Sequence, residues 1–90
     1  MKVRGKDGSW IGGSSQFNTH GLGEIIVGFN PSENGMDSMF IKDCEVFIEA
    51  FGEWKDMRQA FKDKDIIVDN YNTRFFEPKS IEDRERGYTL

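Results

Sequence analysis

The sequence predicts a small α+β domain: one amphipathic helix over about residues 37–51 packed on a small antiparallel sheet. Three observations carry this. Met36, Met39, Phe40, Cys44, Phe47, Ile48, Phe51, Trp54, Met57 and Phe61 follow one another at gaps of three, one, four, three, one, three, three, three and four. Residues three and four apart share a helix face, because each residue turns the chain by about 100°. Glu24-Ile25-Ile26-Val27-Gly28-Phe29 and Ile66-Ile67-Val68 are dense in β-branched residues and sit between turn formers, as buried strands do. Finally, 90 residues with eight Phe, two Trp and two Tyr make one small domain, 1–90, whose core a few large rings can fill.

In chain order, residues 1–16 are rich in Gly, Ser and charge. Val3 and Trp10-Ile11 flank Lys6-Asp7-Gly8. Asp-Gly tolerates positive φ, so a short hairpin with strands near 2–5 and 9–12 is one expectation, and a flexible terminus the other. Gly12-Gly13-Ser14-Ser15 reads as a loop. The strand over 24–29 ends at Asn30-Pro31, since proline has no amide hydrogen and restrains the residue before it.

The central helix starts at Asp37 or Ser38, either of which can cap it. Gly52 leaves open whether it continues to Phe61 or a second helix begins near Glu53. A competing strand over 44–51 turning at Gly52-Glu53 is disfavoured, because Phe47 and Ile48 are adjacent and strand neighbours point to opposite faces. The helix reading puts Phe47 and Phe51 in the core, at about 1.5–3 kcal/mol each before entropy is counted. Lys62-Asp63-Lys64-Asp65 is a polar connection. Ile66–Val68, a turn at 69–72 and a strand over Thr73–Phe76 make a hairpin, stopped by Pro78. Ser80 with Asp83 three residues later signals a short helix over Ile81–Arg86, closed by Gly87.

Charge and motifs narrow the function. The net charge is −4, and residues 31–61 hold seven acidic and three basic groups. An acidic chain lacks the usual footprint of a nucleic-acid binder. One cysteine excludes an internal disulfide and points to a reducing cytoplasm. No apolar signal region follows Met1-Lys2-Val3-Arg4-Gly5-Lys6-Asp7, and no apolar run exceeds three residues, so neither secretion nor a membrane span is expected. Gly21-Leu22-Gly23 begins like a phosphate-binding fingerprint, but the glycines precede a strand and the third falls on Ile26, so no cofactor is expected. A single histidine and no Asp-x-Asp-x-Asp-Gly loop leave no metal site in prospect.

The leading expectation is a small non-enzymatic protein-binding module, a regulator or inhibitor. On a helix, Glu45, Glu49, Glu53 and Asp56 recur at spacings of four, four and three and form an acidic row. Like charges so placed repel by a few tenths of a kcal/mol per pair. Such a row serves a basic partner surface, which it attracts and orients. A nucleic-acid-binding module is the alternative, with Tyr71, Phe75 and Phe76 stacking bases and Lys64, Arg74 and Lys79 holding phosphates. A small Cys/His enzyme is a second alternative, from Cys44 and His20. Homodimerisation stays open, because so many aromatics in 90 residues can exceed what one copy buries.

Overall fold

The computed structural model describes residues 2–8, 11–13, 18–20, 24–30, 35–71 and 74–89. Lys2-Val3-Arg4-Gly5 alternates polar and apolar residues and forms β1 (Lys2–Gly5), with Val3 and Gly5 buried. The chain turns at Lys6-Asp7-Gly8. The Gly8 N–H donates to the Gly5 carbonyl at 2.9 Å, and Gly8 takes φ +78°, the conformation glycine adopts at least steric cost. β2 (Ile11–Gly13) then pairs antiparallel with β1, so the expected terminal hairpin is present. β3 (Asn18–His20), β4 (Ile25–Asn30) and β5 (Gly35–Phe40) form an antiparallel sheet with β4 in the middle. β4 is the strand expected over 24–29. Gly12 and Gly13, expected in a loop with Ser14-Ser15, belong to β2; Ser14-Ser15, the expected break at Pro31 and the fingerprint-like Gly21-Leu22-Gly23 lie outside the described residues.

The helix expected over 37–51 does not form. Residues 37–40 complete β5. Ile41–Asp43 make a single 3-10 turn, and Cys44–Ile48 form β6. Along β6 burial alternates: Cys44, Val46 and Ile48 face inward and are buried, while Glu45 and Phe47 face outward and are half-buried. Val46 and Ile48 are β-branched, which costs side-chain freedom in a helix and suits a pleated strand. The outward Phe47 adds an apolar residue out of phase, so the strand imitates a period of three to four. Adjacency of Phe47 and Ile48 therefore marks two apolar faces, not one helical stripe. The chain reverses after Ile48, and β7 (Glu53–Asp56) pairs back in the register Phe47↔Trp54. Gly52 closes the turn at φ +66°, its N–H donating to the Ile48 carbonyl at 2.8 Å.

A helix does form in the last third of the apolar run, α1 (Met57–Lys62). Its cap is neither Asp37 nor Ser38 but Asp56, whose Oδ2 accepts from the Gln59 N–H at 3.0 Å. Met57, Ala60 and Phe61 are buried at helical spacing. β8 (Ile67–Asp69) follows the polar 63–65 connection and pairs with β9 (Phe75–Phe76) as the expected hairpin. The Asp69 carboxylate accepts from the Tyr71 N–H at 2.8 Å and shapes the turn. α2 (Ile81–Glu85) is capped by Ser80, whose Oγ accepts from the Asp83 N–H at 3.1 Å. β10 (Gly87–Tyr88) then takes the other edge of β8.

The sheets run in the orders β2-β1-β6-β7, β3-β4-β5 and β10-β8-β9. One buried cluster joins them: Val3 from β1, Ile26 from β4, Val46 and Ile48 from β6, Met57 and Phe61 from α1, and Val68 and Phe75 from the third sheet. The fold is thus α+β, as the sequence predicts, with strands in place of its central helix. None of the described helices is long and apolar enough to cross a membrane.

Candidate functional site

β6 and β7 place the four predicted carboxylates in two pairs instead of one row. Glu45 and Asp56 are cross-strand partners, so their side chains share the outward face of the sheet. Like charges directly opposite destabilise a strand pair. Here each is answered by a cation from the first hairpin. Arg4 Nε donates to Glu45 Oε1 at 3.1 Å, and Lys6 Nζ lies 2.5 Å from Asp56 Oδ1. The alternation Lys2-Val3-Arg4 puts Val3 in the core and the two cations outside, a period-two signal that the sequence carried.

Glu49 and Glu53 lie instead at the ends of the β6–β7 turn, either side of Phe51. The Glu49 backbone N–H donates to Glu77 Oε1 at 2.9 Å, and its own carboxylate is 3.9 Å from Lys79. Phe51 is 61% exposed at the crest of this turn. It is not core, contrary to the helix reading. On the outward sheet face, the Phe47 and Trp54 rings meet edge to face, 5.5 Å apart at 67°. The Arg4 guanidinium stacks 4.1 Å above Trp54, and Lys2 Nζ lies 5.6 Å from the Phe47 ring. This aromatic and cationic surface was not legible as a unit, because β1 is some forty residues from β6 in sequence. What the arrangement supplies is contact area: aromatic faces, stacked cations and an apolar crest between carboxylates.

The ion pairs set a pH response. Asp56 is held below the ordinary carboxylate value of 3.8, chiefly by the Lys6 hydrogen bond. Asp63 is likewise lowered, first by Lys55, whose Nζ lies 2.6 Å from its Oδ2. A carboxylate depressed in the folded state stabilises above its unfolded pKa, and the contribution disappears as pH falls through the folded value. Lys6 and Lys55 are raised above 10.5 by the same partners. Their contribution is complete below 10.5 and disappears as pH rises through the folded value. The melting temperature is therefore expected to be nearly level from about pH 5 to 9 and to fall below about pH 4. Asp56→Asn with Asp63→Asn should flatten the acid limb, as thermal melts across pH would record. The effect is small, since these pairs are solvent-screened.

Cys44 is fully buried at the start of β6, and its thiol donates to the Phe40 carbonyl at 3.3 Å. Burial pushes its pKa up to about 12. A thiol is nucleophilic as the thiolate, so alkylation at pH 8 should be slow in the folded chain and accelerate with denaturant. Rapid labelling of the native thiol would contradict this placement. The His20 backbone lies in β3, and its side chain is outside the described residues.

The aromatic and basic set proposed for nucleic acid is dispersed. Phe75 is buried in the core and packs edge to face on Phe61 at 6.2 Å. Phe76 lies 4.9 Å beneath the Arg86 guanidinium, Lys79 approaches Glu49, and Tyr71 is 87% exposed at its own turn. Among the described residues no three His, Cys, Asp or Glu side chains gather as a metal site. Comparison with known proteins found no matching family model, no matching curated protein and no matching solved structure.

Proposed function

We propose that the chain is a non-enzymatic protein-binding module whose recognition element is the β6–β7 hairpin. The observation that carries this reading is Phe51, a large apolar side chain 61% exposed on a hydrogen-bonded turn and flanked by Glu49 and Glu53. A fixed turn presents the ring with little entropy left to lose on binding. The carboxylates select a partner with an apolar pocket rimmed by basic groups, and they speed its encounter. The outward Phe47, Trp54 and Arg4 extend the same hairpin with the residue types that dominate interface energetics. A partner of this kind makes the module a regulator or inhibitor. Its single buried thiol suits a reducing cytoplasm.

The test is affinity capture of tagged protein from a lysate of its source, with and without nuclease, followed by affinity measurement on the recovered partner. Phe51→Ala should weaken binding by about tenfold or more, as loss of an anchoring aromatic does. Glu49→Lys with Glu53→Lys should slow association and reduce its salt dependence. Equal affinity of all variants would remove the hairpin from consideration. Partners lost on nuclease treatment would favour the nucleic-acid reading, in which Tyr71 and the stacked Phe76–Arg86 pair supply the contacts.

A further inference from the structure

β7 is the outer strand of its sheet. Among the described residues its one strand neighbour is β6, and it packs against α1. In an antiparallel ladder alternate residues aim N–H and C=O at the same neighbour, so every second residue of an edge strand offers both groups outward. Proteins protect such edges with a proline, a bulge or an inward-pointing charge. β7 has no proline, and its register runs unbroken from Glu45↔Asp56 to Ile48↔Glu53. Its inward charge is Lys55, opposite the buried Val46, and that charge is taken up: Nζ lies 2.6 Å from Asp63 and 2.5 Å from Asp65. The protection is thereby cancelled.

Glu53-Trp54-Lys55 is also complementary to itself. When two copies of one edge strand pair antiparallel, their outward-directed residues must face each other, so the two-fold axis passes through a residue and not between two. An axis at Glu53, Lys55 or Asp56 sets that residue against its own charge, which repels. An axis at Trp54 sets Trp54 against Trp54 and each Glu53 against Lys55 of the other copy. Aromatic pairs and opposite charges directly across a ladder are favourable. Glu53 is exposed and meets no cation among the described residues. An ammonium has three N–H donors, and Lys55 uses two of its own on Asp63 and Asp65. On the outer face Trp54 already meets Phe47 edge to face at 5.5 Å, so this axis joins two such pairs into one aromatic row.

We propose that two copies of this chain pair antiparallel along β7 about Trp54, joining their two four-stranded sheets into one. The pairing does not use Phe51, so it stands apart from the role of the crest in recognition. A ladder this short buries little area, and the association is therefore weak and concentration-dependent.

The test is sedimentation equilibrium of the full chain from about 5 µM to about 1 mM, joined to disulfide trapping. A monomer–dimer equilibrium with a dissociation constant below about 500 µM is expected. Glu53→Lys sets lysine against lysine on both sides of the axis and should weaken the dimer by about fivefold or more, with an unchanged melting curve. Trp54→Cys should cross-link under mild oxidation, because directly opposed residues lie about 4.5–5.5 Å apart at Cα, within the range of a disulfide. Glu53→Cys should not, since the two copies of residue 53 sit diagonally, about 7–8 Å apart. Cys44 is buried and does not compete. Monomer throughout the range, a dimer indifferent to Glu53→Lys, or equal trapping at 53 and 54 would overturn the proposal. Loss of the dimer in Phe51→Ala would put the contact at the crest and overturn it as well. Failure here leaves the recognition reading untouched, since that is read from Phe51→Ala on a captured partner.

Discussion

Phe61→Ala is expected to cost about 3–5 kcal/mol, whereas Phe51→Ala should change stability by less than about 0.5 kcal/mol. The two residues belong to the same apolar run and differ only in where the fold puts them. Phe61 is 1% exposed in α1 and packs edge to face on Phe75, with ring centroids 6.2 Å apart. Truncating it leaves a void among α1, β6 and the third sheet. Alanine is the better helix former by roughly half a kcal/mol, so local propensity opposes the loss and does not explain it. Against a total stability of about 5–15 kcal/mol, the loss would leave many chains unfolded at body temperature. Phe51 is 61% exposed and leaves no void. Urea melts of the two variants measure the difference directly. Comparable losses at both positions would restore a packed Phe51 and refute the β6–β7 hairpin.

Gly87→Ala is expected to cost about 1–3 kcal/mol and to detach β10 from β8. A Cβ at residue 87 would lie 2.4 Å from the Val68 carbonyl oxygen and 3.1 Å from its carbon. Both are backbone atoms of the central strand of that sheet, so neither can rotate away as a side chain tip could. β10 pairs only Gly87↔Asp69 and Tyr88↔Val68, so the cheaper escape is release of the short edge strand. Hydrogen exchange should then show lost protection at Asn70, whose N–H donates to the Arg86 carbonyl at 3.1 Å. Unchanged melts and unchanged exchange would mean that β10 does not lie this close to β8. Gly87 does not occupy the positive-φ region, so its requirement is space for a close backbone approach, not the helix-closing turn that its position after α2 suggests.

Short-range signals predict several elements that neighbours in sequence decide. Asp-Gly at residues 7–8 turned the first hairpin, the β-branched runs became β4 and β8, and Ser80 with Asp83 capped α2. Asp56-x-x-Gln59 before an apolar pair is a further local signal, the cap signature that places α1. The strands that replace the expected helix over 37–51 have a different origin. The apolar spacing there is compatible with a helix, and nothing inside the segment reveals that Phe47 faces outward to meet Trp54 and that Val46 lies opposite Val3. The acidic row failed with the helix that carried it, and the same four residues became two ion-paired sheet positions and two carboxylates beside an exposed ring.

By itself, then, the sequence determined the α+β class, the turn at Asp7-Gly8, the Ser80 cap of α2 and the lack of long apolar spans, because each depends on chemistry within a few residues. Tertiary structure decided which apolar residues are core, which cations meet which carboxylates, and that Phe51 faces outward. Those outcomes depend on pairings between strands far apart in the chain. A strand with apolar residues on both faces has no period that identifies it until its partners are in place.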